Sequence, residues 1–459
     1  MQTLAHRLAR FAISLKFDDL PDAVVHEAKR RVLDSIGCAF GGFHAEPCEV
    51  ARRVAMGTSA DAGATLIGTD HRAPADWAAF ANGCMVRYLD YNDTYLSKEP
   101  AHPSDNITAA LAVAEAHKAN GRDLITAIVL AYEVQCRLCD AACIRARGWD
   151  HVTYGAFSTA LAAGRLMNLA AEPMRHAVNI AGVASVNLRQ SRVGELSHWK
   201  GCAFANAARH GVFAAMLAAE GMTGPAPIFE GANGFEKLIS GPLRLRGPIA
   251  TGKPVRKPDD LMILKTSIKF WPLEYHAQSA VEAALQLREQ IDGVEQIEKI
   301  EIQSHDAAVD IIGSSPEQWK PTSRETADHS LPYLTAVALM DGKVTPRQFE
   351  PKRFTDAKLR KLVKRVTVSR HAELSRRYPS DVGNIITLKL RGGKTLSRRV
   401  DVPLGNAKKP LSDAQVEEKM HALADPVLGA DRVHKVARWV WKLEEKRNVG
   451  ELMPLLMVK

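Results

Sequence analysis

The stretch that decides the fold class runs from Ile385 to Val402, IITLKLRGGKTLSRRVDV. Apolar and polar residues alternate on either side of Gly392–Gly393, which predicts two strands folded into a hairpin at the glycine pair. Upstream, IEKIEIQSH (297–305) and RVTVSR (365–370) carry the same period of two. Between and before them lie segments of helical period: QSAVEAALQLREQI (278–291), LPYLTAVALMDG (331–342) and TDAKLRKLVKR (355–365). Strands mixed with helices over residues 265–404 predict an α+β domain.

Outside this region the pattern is helical, apart from a short strand-like piece, ATLIG (64–68). Residues 3–42 close with LPDAVVHEAKRRVLDSIGCAFGG, which has a proline near its start and a glycine pair at its end. From Asp105 to Ala219 helical spacing continues, with breaks at Gly121, Gly148 and Leu169–Pro173. The run FANAARHGVFAAMLAAEG (204–221) sets Ala207, Gly211, Ala214 and Ala218 where a second helix can approach closely, predicting a buried central hairpin. Residues 221–258 are rich in Pro and Gly and read as a linker or active-site loop region. From Ser412 helices return, in AQVEEKMHALAD and DRVHKVARWVWKLEE. The expected architecture is mainly α with an α+β part: one large all-helical domain built from residues 1–264 and 405–459, with the α+β domain inserted at 265–404. No internal repeat is evident.

A chain of 459 residues is long enough for two domains. Its 46% hydrophobic and 25% charged residues are those of a globular protein. The net charge of +9 admits nucleic acid, a membrane surface or anionic small molecules as partners. Only 6% of residues are aromatic, and none interleave with Lys and Arg as base-stacking platforms do, which argues against nucleic acid. The densest basic segment, PKRFTDAKLRKLVKRVTVSR (351–370), reads as a helix with one solvated face followed by a strand. The N-terminal segment lacks the apolar core of a secretory signal, and Asp18 and Asp19 argue against a transit peptide. The longest apolar run, LITAIVLAYEVQC (124–136), is too short to span a bilayer, so the expectation is a cytoplasmic protein with no membrane association. Seven cysteines without a signal do not suggest a disulfide framework. Cys136, Cys139 and Cys143 have spacing like that of cluster ligands, but they read as one face of a continuous helix, a packed apolar stripe.

No Gly-rich dinucleotide or nucleotide loop, zinc-protease helix, serine-hydrolase elbow or paired Cys zinc spacing occurs, so side chains must carry any chemistry. Tyr88–Asn106, YLDYNDTYLSKEPAHPSDN, gathers acids, a hydroxyl and an imidazole. On a helix end, Asp90 and Thr94 would share a face, and Pro100 and Pro103 would turn the chain so that His102 returns toward it. The same residues also suit a capped surface loop. RGWDHVTYGAFSTALAAG places His151 after a glycine turn, either as an active group or as a bystander beside an Asp150 cap. SHWKGCAFANAA puts Lys200 at a helix start, snorkelling or aimed at an anion. SIKFWPLEYHAQSAVEAA brings Lys269, Tyr275 and His276 together, and DHSLPYLTAVALMDG brings His329, Ser330 and Tyr333. Together they point to a site at the seam of the two domains that takes a polycarboxylate and removes a proton next to a carboxylate, with loss of water or carbon dioxide.

These motifs also resemble, nearly end to end, the MmgE/PrpD family of 2-methylcitrate dehydratases, cis-aconitate decarboxylases and iminodisuccinate epimerases. The resemblance rests on LDSIGCAFGG, LDYNDTYLSKEPAHPSDN, RGWDHVTYGAFSTALAAGRLMNL, WKGCAFANAARHGVFAAMLAAEGMTGP, FWPLEYHAQSAVEAALQL and DHSLPYLTAVALMDG. It implies a helical domain made of both chain ends, an α+β lid, a homodimer, and no metal or other cofactor. It carries functional positions onto Asp90 and Thr94 (LDYNDT), His102 (HPSDN), His151 (GWDHVTYG), Lys200 (WKG), His276 (YHAQ) and Tyr333 (HSLPY). The spacer NDTYLSKEPAHPSDN and YHAQSAVEAA look most similar to the dehydratase branch. The expectation is therefore a cofactor-free hydro-lyase that dehydrates 2-methylcitrate or a close tricarboxylate. His102, Asp90, His151 and Tyr333 would be its catalytic residues, and Thr94, Lys200, His276 and Lys269 would bind substrate. Decarboxylation of cis-aconitate, epimerisation, and a catalytically dead scaffold are the alternatives. Lys98 and Glu99 either select the substrate or face water.

Overall fold

The computed structural model describes residues 2–194, 196–251 and 261–458, so the end of the Pro/Gly-rich stretch, 252–258, lies outside the described residues. The chain divides into two compact units: an α-helical one made of residues up to Gly194, His198–Thr266 and Ser412 onward, and a second made chiefly of Ser267–Leu411. Among the described residues, no helix is long and apolar enough to cross a membrane.

In the helical unit, α1 (Asp22–Gly41), α2 (Ala75–Tyr88), α3 (Ile107–Ala116), α4 (Gly121–Ala141), α5 (Thr153–Leu166), α6 (Ala171–Ala184) and α7 (Trp199–Ala219) are joined by α8 (Asp413–Leu428) from the far end of the chain. The Ala- and Gly-rich α7 packs against α2, α5 and α6. Its close approach to α5 requires Gly211, where a Cβ would stand 2.7 Å from the Ala156 carbonyl oxygen and 2.9 Å from the Ala160 nitrogen. Ala207, Ala214 and Ala218 are buried beside it, which is why small residues recur at helical spacing there. The helix α8 docks on α1, where buried Lys419 pairs with buried Asp34 at 2.6 Å. Further ion pairs, Lys29–Glu444 at 2.7 Å and Arg30–Asp413, tie the two chain ends together.

The helix α4 is capped by Asn120, which accepts from the Asp123 N–H, and it ends at Ala141. Cys143 therefore falls beyond the helix, which corrects the expectation of one continuous helix carrying all three cysteines. Cys136 and Cys139 are fully buried on it, and burial pushes both thiols up, as suits apolar packing groups.

The second unit holds a four-stranded sheet of β1 (Ile297–Ser304), β2 (Val366–Arg370), β3 (Asn384–Leu390) and β4 (Thr395–Val400), in the order β2-β1-β3-β4. The pair β1/β2 is parallel, and the other two pairs are antiparallel. Gly392 and Gly393 both take positive φ, 86° and 85°, which fixes the β3–β4 turn. Ile297, Ile300 and Ile302 of β1 and Ile386, Leu388 and Leu390 of β3 are buried in one core with apolar residues of the helices Gln278–Arg288 and Leu331–Asp341. Residues between them, such as Lys299, Glu301 and Lys389, form surface ion pairs at 2.7 and 3.0 Å, worth little stability.

Candidate active site

In the helical unit the site is built on the loop between α2 and α3. The helix α2 ends at Tyr88, and Asp90 follows in the left-handed region at φ 50°. Asp90 and Thr94 therefore do not share a helical face; Thr94 lies in a two-residue strand, and its hydroxyl donates to the Ala101 carbonyl at 3.3 Å. The loop folds back on itself through reciprocal main-chain bonds between Tyr95 and Ala101 at 2.8 and 2.9 Å.

The hub of this loop is Asp93, which is fully buried. Its Oδ1 accepts from the Ser104 N–H (2.9 Å) and hydroxyl (2.6 Å), and its Oδ2 accepts from the Tyr132 hydroxyl (2.6 Å), with Arg31 at 3.7 Å. The Asp93 carbonyl lies 2.6 Å from His102 Nδ1. A carbonyl can only accept, so Nδ1 carries the proton and Nε2 is the ring's basic nitrogen in its neutral form. Nearby Asp105 accepts from Asn92 at 2.6 Å; burial pushes its carboxyl up to about 7, against the pull of Arg87.

His151 stands next to His102, with ring centroids 5.9 Å apart. Its Nδ1 pairs with Asp150 at 2.8 Å, and its buried Nε2 has no hydrogen-bond partner among the described residues. Burial alone would raise the Asp150 carboxyl; Arg192 (2.9 Å), His151 and the Ser191 hydroxyl (2.6 Å) instead hold it well below the usual range. The result is a permanently ionised acid behind an imidazole. Lys200, buried at the start of α7, sits 3.3 Å from Asp90, whose other oxygen meets Arg87 at 2.5 Å. Two pairs of candidates thus come together in this unit, His102 with His151 and Asp90 with Lys200. Glu99 does not face water: it is fully buried and accepts the Arg145 N–H at 2.9 Å, which makes it a structural anchor of the loop. Lys98 donates to the Ala141 carbonyl at 3.3 Å.

The second unit has its own cluster. His276 Nδ1 donates to Glu274 at 2.6 Å, and Tyr378 Oη lies 3.3 Å from its Nε2. Burial would raise Glu274, but His276, His329 and Lys269 bring it down to about 2. The Glu274 N–H bonds the Asp328 carbonyl at 2.9 Å, and the Asp328 carboxylate pairs with His329 at 2.5 Å. Buried His305 stacks on Tyr378 at 4.6 Å, and burial brings its imidazole down to about 3. Tyr333 is not part of this cluster. Its hydroxyl donates to the Gln348 carbonyl inside the apolar core, an arrangement that suits a structural group more than the catalytic residue the resemblance implies.

Sequence reasoning gave no role to Asp93, Tyr132, Glu274, Asp328 and Tyr378, and read Asp150 only as a helix cap. A signal for three of them was present: an acid stands one or two residues ahead of the imidazole in Asp150–His151, Glu274–His276 and Asp328–His329. Asp93 and Tyr132 left no such mark, because 39 positions separate them.

The family models for the MmgE/PrpD N-terminal and C-terminal domains match residues 6–246 and 271–444. The chain belongs to the MmgE/PrpD family. It is 30% identical to the 2-methylcitrate dehydratase of Cupriavidus necator, over 83% of this chain and 82% of that enzyme. It is 27% identical to the 2-methylcitrate dehydratase of Escherichia coli K12, over 82% and 81%. It is 26% identical to the cis-aconitate decarboxylase of Mus musculus, over 99% and 94%.

Proposed function

We propose that this protein is a cofactor-free hydro-lyase that dehydrates 2-methylcitrate, or a close tricarboxylate, to an aconitate-type alkene. The observation that carries the reading is the His102–His151 pair, two adjacent imidazoles each held through Nδ1 by a different acceptor. His102 Nε2 takes the proton from the carbon next to a carboxylate. His151, its Nδ1 paired with Asp150, gives a proton to the departing hydroxyl, which leaves as water. Asp90 is matched by two cations, which fits it to hold Lys200 as a carboxylate binder more than to act as the base. Thr94 completes the substrate contacts of this unit. Likeness to enzymes named 2-methylcitrate dehydratase supports the substrate class. The proposal includes a homodimer in the cytoplasm.

Decarboxylation of cis-aconitate is the second reading, favoured by the match to enzymes of that name over 99% of this chain. Supplying each acid, while following alkene absorbance and released carbon dioxide separately, distinguishes the two. His102→Ala and His151→Ala are each expected to lower turnover by about a hundredfold or more, with the melting temperature retained. Full activity of either variant refutes the assigned proton transfers.

A further inference from the structure

The second unit carries a cleft of about 550 Å3 between the end of the helix Gln278–Arg288 with its following loop, the helix Leu331–Asp341 and the helix Ala357–Val363. It draws Lys358, Lys361, Leu362 and Arg365 from the basic segment noted in the sequence and shares no residue with the candidate site. Arg288, Lys358, Lys361 and Arg365 line it, over a floor of Val294, Met340 and Leu362. None of the four cations forms an ion pair among the described residues. The two guanidiniums are instead pinned by single main-chain carbonyls, Arg288 by Ile291 at 2.8 Å and Arg365 by Ile297. That fixes each fork while most of its five donors remain for another acceptor. Asp292 and Glu295 line the cleft from the loop after Arg288, and Asp292 accepts from Gln296 at 3.1 Å.

We propose that this cleft binds an organic polyphosphate of the nucleotide type. The volume is that of a small-ligand pocket and exceeds what a bare inorganic anion fills. Lys358 and Lys361 lie three residues apart on the helix Ala357–Val363, and with Arg365 just past its end they supply the cations for a phosphate chain. Val294 and Met340, both half-buried, supply apolar surface for a flat base or sugar. The carboxylates of Asp292 and Glu295 repel phosphate from their side and accept from amino and hydroxyl donors. A bipolar cleft of this kind orients a molecule that is anionic at one end and a hydrogen-bond donor at the other.

The test is isothermal titration of the full chain with ATP, with inorganic triphosphate, and with ATP in the presence of excess citrate, all at physiological ionic strength. The expected result is one saturable ATP site per chain, unaffected by citrate. It should weaken at least about tenfold with triphosphate alone, and at least about tenfold in the Lys358→Ala/Lys361→Ala variant, which removes two exposed lysines and should retain the parent's melting temperature. Absence of saturable ATP binding, displacement by citrate, equal affinity for triphosphate, or unchanged affinity in the double variant each overturns the proposal. Turnover of the double variant on tricarboxylates is expected to be unchanged, so the outcome is independent of the proposed dehydration.

Discussion

Removing one hydroxyl, in Tyr132→Phe, tests whether Asp93 organises the loop that carries His102. The Tyr132 hydroxyl donates to Asp93 Oδ2 at 2.6 Å, and Arg31, 3.7 Å from the same oxygen, is too far to replace it. A hydrogen bond to a buried carboxylate contributes about 1.5–3 kcal/mol. With an unfolding entropy of about 2.1 cal/mol/K per residue, one-step unfolding of the whole chain makes a loss of 2 kcal/mol equal to a fall of about 2 °C in Tm. The effect on function follows from the same atom group, because the Asp93 carbonyl fixes His102 Nδ1. A loosened loop misplaces Nε2, and turnover should fall by about tenfold, less than on removing His102 itself. The assays are urea denaturation, thermal melting and turnover on 2-methylcitrate, with hydrogen exchange over residues 90–106 as a local readout. Tyr154→Phe is the control: its hydroxyl meets a neutral carbonyl, Ala142, at 3.1 Å, and its loss should cost only about 1 kcal/mol without touching turnover. Unchanged melting together with full turnover in Tyr132→Phe would show that Asp93 does not hold the loop.

His305 is held down to about 3 by burial and by His276, whereas an unfolded histidine titrates near 6.5. The unfolded state alone takes the proton between those values, so this group removes stability as pH falls through that window. His305→Asn keeps an acceptor for the Ala308 N–H and should melt closer to its neutral-pH temperature at pH 4.5 than the parent does. Asp105 acts with the opposite sign: its folded value of about 7 exceeds the 3.8 of a free carboxyl, so the folded state holds the extra proton and stability falls as pH rises from about 4 to 7. Asp105→Asn should flatten the melting profile over that range. Tyr333→Phe is expected to lose about 1 kcal/mol in denaturant titration and to keep turnover; a hundredfold loss of turnover at unchanged stability would return its hydroxyl to the chemistry.

The elements legible in the sequence were those set by local rules. The glycine pair at 392–393 and the alternation around it specify a hairpin whatever lies elsewhere, and the small residues of α7 announce a close helix contact. The parallel pairing of β1 with β2 was not legible, because 61 residues separate Ser304 from Val366 and no local pattern encodes which edge a strand joins. At the candidate site the imidazoles stood out, but their partners did not. Asp93 looks like any loop acid, and the Tyr132 that meets it sits mid-helix in an apolar run. The reasoning that put Asp90 and Thr94 on one helical face failed for a backbone reason. The helix stops two residues before Asp90, and the left-handed turn there redirects the chain.

The docking of α8 on α1 has a consequence for how the protein is made. A ribosome releases α1 long before α8, the helix that brings Lys419 to Asp34, which begins 372 positions after α1 ends. At about 5–20 residues per second, that leaves the side of α1 that α8 covers without its partner for about 20–75 seconds. Throughout that interval Asp34 lacks its lysine. The α+β unit, contiguous from Ser267 to Leu411, leaves the exit tunnel before α8 and can finish first. The nascent chain therefore passes through a stage in which its later half is folded and its earlier half is waiting, and chaperone engagement should concentrate on α1 during elongation.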